Sequence, residues 1–147
     1  MQSKLLTQIE LLMKYFKLTL LSLVLVTVLS CEMKEGSDFT NKLTFGTAIN
    51  SGEFSLTGEG TTFSVSPGNV AYRLESEEDF NGNPVKFVIQ KGGFAYSTET
   101  YSTNPKPTGH IFMTTLNYAV KGSYSVTAYI QKTSGDQFVA NGTFQMN

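Results

Sequence analysis

The sequence predicts an all-β chain: a single antiparallel β-sandwich of about seven to nine strands behind an N-terminal signal helix. Three observations carry this. Apolar side chains recur at every second position through most of residues 40–147, and clusters of Asn, Gly, Ser and Pro interrupt them at short intervals. No stretch after Cys31 shows an apolar period of 3.6.

The alternation places the strands in order. Leu43, Phe45, Thr47 and Ile49 share one parity, as do Phe54 with Leu56 and Phe63 with Val65. Val70, Tyr72 and Leu74 form a further strand, and Val85, Phe87 and Ile89 another. Phe94 and Tyr96 share a parity that suits a core-facing strand. Phe112, Leu116, Tyr118 and Val120 alternate with Met113, Thr115 and Asn117, and Tyr124, Val126, Ala128 and Ile130 continue toward a last run. That run sets Phe138, Ala140, Gly142, Phe144 and Met146 on one face, with Asn141-Gly142 read as a bulge or a close backbone approach.

Turn chemistry separates these runs at Asn50-Ser51-Gly52, Gly58-Glu59-Gly60, Ser66-Pro67-Gly68-Asn69, Asn81-Gly82-Asn83-Pro84, Gly92-Gly93 and Ser134-Gly135-Asp136. Gly and Asn tolerate positive φ and Pro fixes φ, which is what tight reversals need. Ser102 to Gly109, with Pro105 and Pro107, is the longest irregular connection and is expected to cross between sheets.

The first thirty residues read as an address. Lys14 and Lys17 flank a run from Leu18 to Leu29 broken only by Thr19, Ser22 and Thr27, the charged and apolar regions of a secretory signal. Twelve helical residues reach roughly 18 Å, short of a hydrocarbon core of about 30 Å, so a permanent span is the weaker reading. Met13 is an alternative start, because Met13-Lys14-Tyr15-Phe16-Lys17 already supplies the positive flank. The chain divides into 1–30 as signal, 31–39 as cysteine and polar tether, and 40–147 as the folded domain.

Three resemblances follow from particular residues. Val28-Leu29-Ser30-Cys31 resembles the lipobox of bacterial lipoproteins, although Leu is more usual where Val28 stands and a smaller residue where Leu29 stands. The resemblance implies that Cys31 is the lipid attachment site and first residue of the mature protein, with the acyl chains holding it in a membrane of the cell envelope. The polar run from Glu32 to Asp38 resembles the acidic stretches behind the lipidated cysteine of surface-exported lipoproteins, and serves equally as a plain solvated spacer. Lys121-Gly122-Ser123-Tyr124-Ser125-Val126 resembles the segment that opens the penultimate strand of immunoglobulin-like (Ig-like) domains, where the tyrosine forms a corner. By that resemblance Val126 stands where antibody domains carry a cysteine, Phe87 where they carry tryptophan, and the fold is an Ig-like sandwich; a jelly roll or another sandwich is the competitor.

Composition narrows function by exclusion. The 117 residues after position 30 carry eight Lys or Arg against eleven Asp or Glu, a formal charge of −3, so a nucleic-acid partner is not expected. Cys31 is the only cysteine and His110 the only histidine, which removes internal disulfides and Cys/His metal clusters, and no cofactor is expected. Asp79-x-Asn81-x-Asn83 has the opening spacing of a calcium loop, yet Pro84 stands where that loop needs glycine and no glutamate occupies its twelfth position. A solvated turn is the better reading, and no metal site is assigned. His110 lies at a strand start with no Gly-x-Ser-x-Gly elbow in the chain, so no catalytic residue is assigned and the protein is not read as an enzyme.

The function expected from these residues is a lipid-anchored envelope protein, monomeric, with a binding or structural role. Its partners are the membrane through the anchor and another envelope protein or a glycan. A carbohydrate-binding module is the first alternative and would place Tyr96, Tyr101 and Tyr118 or Tyr129 on one exposed surface. A protease inhibitor or small enzyme is the second, with Thr103 to Gly109 as its only candidate loop.

Overall fold

The structure, a computed structural model, describes residues 38–103 and 107–147. The signal segment and Cys31 therefore lie outside the described residues, as does Pro105. Among the described residues there is no helix long and apolar enough to cross a membrane.

Ten strands are present among these residues: β1 (Lys42–Gly46), β2 (Ala48–Asn50), β3 (Ser55–Thr57), β4 (Thr62–Phe63), β5 (Asn69–Glu75), β6 (Val85–Lys91), β7 (Phe94–Tyr101), β8 (Ile111–Asn117), β9 (Gly122–Lys132) and β10 (Gly135–Met146). Eight of them build a β-sandwich. One sheet has the order β1-β5-β8 and the other β4-β10-β9-β6-β7, while β2 and β3 pair as a separate ribbon. Neighbours are antiparallel except β4, which runs parallel to β10 at Gln145↔Thr62 and Met146↔Phe63. The chain crosses between sheets from β7 to β8, at the connection rich in Pro.

The core lies between the sheets and is rich in aromatic rings. Phe45 meets Phe144 with ring centroids 5.0 Å apart, Tyr72 meets Phe87 edge-on at 5.3 Å, and Phe87 meets Phe112 at 6.2 Å. Val70, Leu74, Val85, Val126, Ala128, Ile130 and Met146 are fully buried around them. Such ring pairs add about 0.5–1.5 kcal/mol each beyond burial, which is how a chain with no tryptophan and no disulfide fills an inter-sheet space.

Alternation was a faithful guide where strands are regular and misled where the backbone bends. The run from Leu43 to Ile49 is two strands, because the chain turns at Thr47 and β2 joins the ribbon. Gly46 permits this: a Cβ there would stand 2.9 Å from Leu56 Cβ and 2.8 Å from the Thr57 carbonyl oxygen, so the ribbon closes over a bare backbone. Phe54, expected to share a buried face with Leu56, adopts φ of 51° in the ribbon's turn and is exposed.

In β10 the register shifts between Phe138 and Ala140. That bulge puts Val139 and Ala140 both in the core and turns Phe138 out, against the expected parity. Asn141-Gly142 is accordingly the close approach and not the bulge. A Cβ on Gly142 would stand 2.7 Å from Phe45 Cε2.

Candidate functional site

The two ends of the sandwich differ in chemistry. At the end where β1 enters, Lys42 pairs with Glu75, β8 begins at Ile111 and β6 at Val85. Carboxylates gather there. Glu75 accepts from the Thr40 amide at 2.9 Å and from Arg73 Nη1 at 2.7 Å, and these bonds hold its carboxyl below the usual range, the Thr40 bond most. Glu78 is lowered by Lys132 and then Gln137, and Asp136 by Lys86. This end is a lattice of satisfied surface ion pairs.

The acidic loop itself is occupied with its own folding. Asp79 Oδ1 accepts from the Asn81 amide at 2.6 Å and from the Gly109 amide at 3.1 Å. Asn83 donates its side-chain nitrogen to the Phe80 carbonyl at 2.8 Å. The Gly82 amide donates to the carbonyl of buried Pro107 at 2.8 Å. Asp79, Asn81 and Asn83 thus close an Asx-type turn and fasten it to the β7–β8 connection. Among the described residues no three His, Cys, Asp or Glu side chains converge to hold a metal ion.

His110 sits half-buried at the start of β8. Its Nδ1 lies 3.0 Å from the Ser76 carbonyl oxygen, which can only accept, so Nδ1 carries the proton. Its ring stacks on Phe39 at 4.6 Å with an interplanar angle of 6°. The groups that meet this imidazole are thus a carbonyl and a phenyl ring.

The far end gathers three of the five exposed large hydrophobic side chains of the described residues, Phe54 and Phe138 being exposed elsewhere. Phe94 is 80 % exposed, Val120 45 % and Tyr96 42 %, all against the expectation that their strands turn them inward. The reasons are local. Phe94 follows Gly92-Gly93 at the β6–β7 reversal, opposite Lys91 and past the last core layer. In β7 the register shifts, with Ile89 opposite Ser97 and Gln90 opposite Ala95, so Tyr96 is the bulged residue. Val120 lies beyond β8 in the corner that precedes β9.

These residues surround one aromatic nest. Tyr96 stacks near Tyr118 at 6.1 Å and meets Tyr124 edge-on at 5.2 Å. Tyr124 donates its hydroxyl to the Val120 carbonyl at 2.7 Å, the corner expected of it. Burial, and next Tyr96, push the Tyr124 hydroxyl up to about 12. Lys91 and Lys121 flank the nest: the Gly92 amide donates to the Ser123 carbonyl at 3.0 Å, and the Lys91 stem crosses Gly122.

The four rings of the sugar-platform arrangement do not share a surface. Tyr118 is fully buried, Tyr101 packs half-buried on Phe112 at 5.2 Å, and Tyr129 lies on the outer face of the larger sheet beneath Lys86. Of the candidate loop from Thr103 to Gly109, the described part is pinned through Pro107 and Gly109. Two open clefts lie among the described residues. One, of about 490 Å³, is lined by Thr62, Ser64, Pro67 and Asn69; the other, of about 460 Å³, lies between β1 and β10 over Gly142. No protein-family model, curated protein or solved structure matches this chain. Any functional reading therefore starts from the two unlike ends.

Proposed function

We propose that this chain is a bacterial cell-envelope lipoprotein, acylated at Cys31, which holds one Ig-like β-sandwich on a short polar tether and acts by binding rather than by catalysis. The observation that carries the reading is the opposition of the ends. The chain enters the domain at Phe39 and Thr40, beside Glu75 and His110, whereas Phe94, Tyr96 and Val120 are exposed at the other end of the strands. A tethered domain so built would hold the Phe94, Tyr96 and Val120 cluster away from the membrane that anchors it.

The Ig-like reading rests on the strand order β1-β5-β8 facing β4-β10-β9-β6-β7, on β4 running parallel to β10, and on the Tyr124 corner. The lipoprotein reading rests on Val28-Leu29-Ser30-Cys31 behind its apolar run. Acyl chains contribute about 0.8 kcal/mol per buried methylene, so two or more fix the protein firmly. Cys31→Ala tests the anchor: expected are loss of labelling by a radiolabelled fatty acid and release from the membrane fraction. Unchanged labelling and sedimentation with membranes would overturn it.

A further inference from the structure

We propose that the outer face of the larger sheet is a binding platform for an uncharged glycan chain, with Phe138 as its stacking ring and the hydroxyl and amide side chains beside it as hydrogen-bonding partners. The proposal deepens the binding reading above by naming a ligand class, and it does not depend on the anchor at Cys31.

The pairing registers lay this face out. Phe87, Ile89, Val126, Ala128, Ile130 and Ala140 are buried in the core, so the residues that alternate with them point outward. Thr98, Val88, Thr127 and Asn141 form one row across β7, β6, β9 and β10. Ala95, Gln90, Ser125 and Thr143 form the row on one side of it, and Thr100, Lys86, Tyr129 and Phe138 the row on the other. With strands about 4.8 Å apart and rows about 6.7 Å apart, the three rows cover roughly 14 Å by 13 Å.

Phe138 belongs to this face because β10 bulges. The register shift between Phe138 and Ala140 sends Val139 and Ala140 inward together and leaves Phe138 outward, 55 % exposed and edge-on to Tyr129 at 6.3 Å. An apolar ring is thus held in solvent at the rim of a polar face. Covering it with the C–H face of a sugar ring removes that apolar area from water.

Charge and polarity select the occupant. The one ionised side chain in the three rows is Lys86, and it is committed to Asp136 and to the Tyr129 ring, whose centroid lies 5.1 Å from Nζ. A phosphate or a uronate would meet no free cation within these rows. The other polar groups apart from Tyr129 are hydroxyls and carboxamides, which donate and accept alike, as sugar hydroxyls do. Gln90 and Ser125 meet at 3.4 Å, whereas among the described residues the side chains of Thr98, Thr127, Asn141 and Thr143 make no hydrogen bond and are open to a ligand. A protein partner fits less well, because the cores of such interfaces gather aromatic, methionine and arginine side chains and are depleted in serine. Here Val88 and Ala95 are the only aliphatic side chains in the rows.

The test uses the full chain in detergent on an array of neutral glucan, xylan, mannan and chitin oligosaccharides, beside anionic polygalacturonate and hyaluronate fragments. Expected is retention of at least one neutral glycan that persists in about 0.5 M NaCl, because no ion pair holds it. Phe138→Ala should weaken that binding at least about tenfold and Asn141→Ala about threefold or more. Phe54→Ser, exposed in the turn of the β2–β3 ribbon, should leave it unchanged. Should Phe138→Ala fail to fold, Asn141→Ala and Thr143→Asp decide the matter, since both residues are exposed. The proposal is overturned by retention of no neutral glycan, by preference for the anionic fragments, by loss of binding in salt, or by undiminished affinity in Phe138→Ala and Asn141→Ala. Binding that depends on Phe94 in place of Phe138, or a dimer of this chain that Phe138→Ala dissolves, overturns it equally. The Cys31→Ala protein should hold the glycan as the native chain does, so the anchor and the platform fail separately.

Discussion

Tyr72 and Tyr118 join their hydroxyl groups in a hydrogen bond inside the sandwich, Tyr72 from the middle of β5 and Tyr118 from the residue just past β8, each with no exposed surface. Both hydroxyls have left water, and each is the other's partner. Burial chiefly raises the pKa of both, so the pair stays neutral through the physiological range.

Removing one member of this pair should cost more than removing both in proportion. Tyr72→Phe or Tyr118→Phe leaves a buried hydroxyl without its partner, a loss of about 1–3 kcal/mol each. The double variant leaves no orphan, so its loss should fall clearly below the sum. Urea unfolding of the four proteins measures the coupling, and strict additivity would show that the hydroxyls do not depend on each other.

Alkaline pH should destabilise the domain through the same nest. Unfolded tyrosine ionises near 10, whereas Tyr124 in the fold is pushed up to about 12, and Tyr72 and Tyr118 are also raised. The folded state thus holds its protons where the unfolded chain releases them. Stability from this source is whole below about pH 10 and falls as pH rises through the folded value. Urea midpoints between about pH 8 and pH 11.5 should show that decline, with a shallower slope in Tyr124→Phe. The same variant loses the bond to Val120, about 1 kcal/mol at neutral pH.

Gly142 should resist replacement for want of space. In Gly142→Ala the new methyl would meet the Phe45 ring at 2.7 Å, and Phe45 is itself packed on Tyr72 and Phe144. A loss of about 1–3 kcal/mol is expected from thermal or urea unfolding. Phe45→Leu opens that space, so adding Gly142→Ala to Phe45→Leu should cost less than adding it to the native chain.

Millimolar calcium should leave the melting temperature unchanged, because Asp79 Oδ1 is committed to the Asn81 and Gly109 amides. Asp79→Ala should lower it instead, since two amides lose their acceptor, at about 1–2 kcal/mol in all. A calcium-dependent rise in the native protein that Asp79→Ala abolishes would reverse this reading.

Taken by itself, the sequence determined the class of fold, because a side-chain period of two can bury one face only in a sheet and because glycine, asparagine and proline mark where the chain must reverse. Through the resemblance of Lys121–Val126 to the segment that opens the penultimate strand of Ig-like domains, it also marked Tyr124, whose hydroxyl donates to the Val120 carbonyl. It could not show where single residues slip the register. The bulges at Tyr96 and between Phe138 and Ala140 exchange inside for outside within one residue, and they depend on partner strands far away in the chain. The exposed surface of Phe94, Tyr96 and Val120 beside buried Tyr118 follows from the first of those slips and from where β7 begins and β8 ends. Only the tertiary structure could decide it, because exposure at a strand end depends on where the opposing sheet stops, and no local pattern carries that distance.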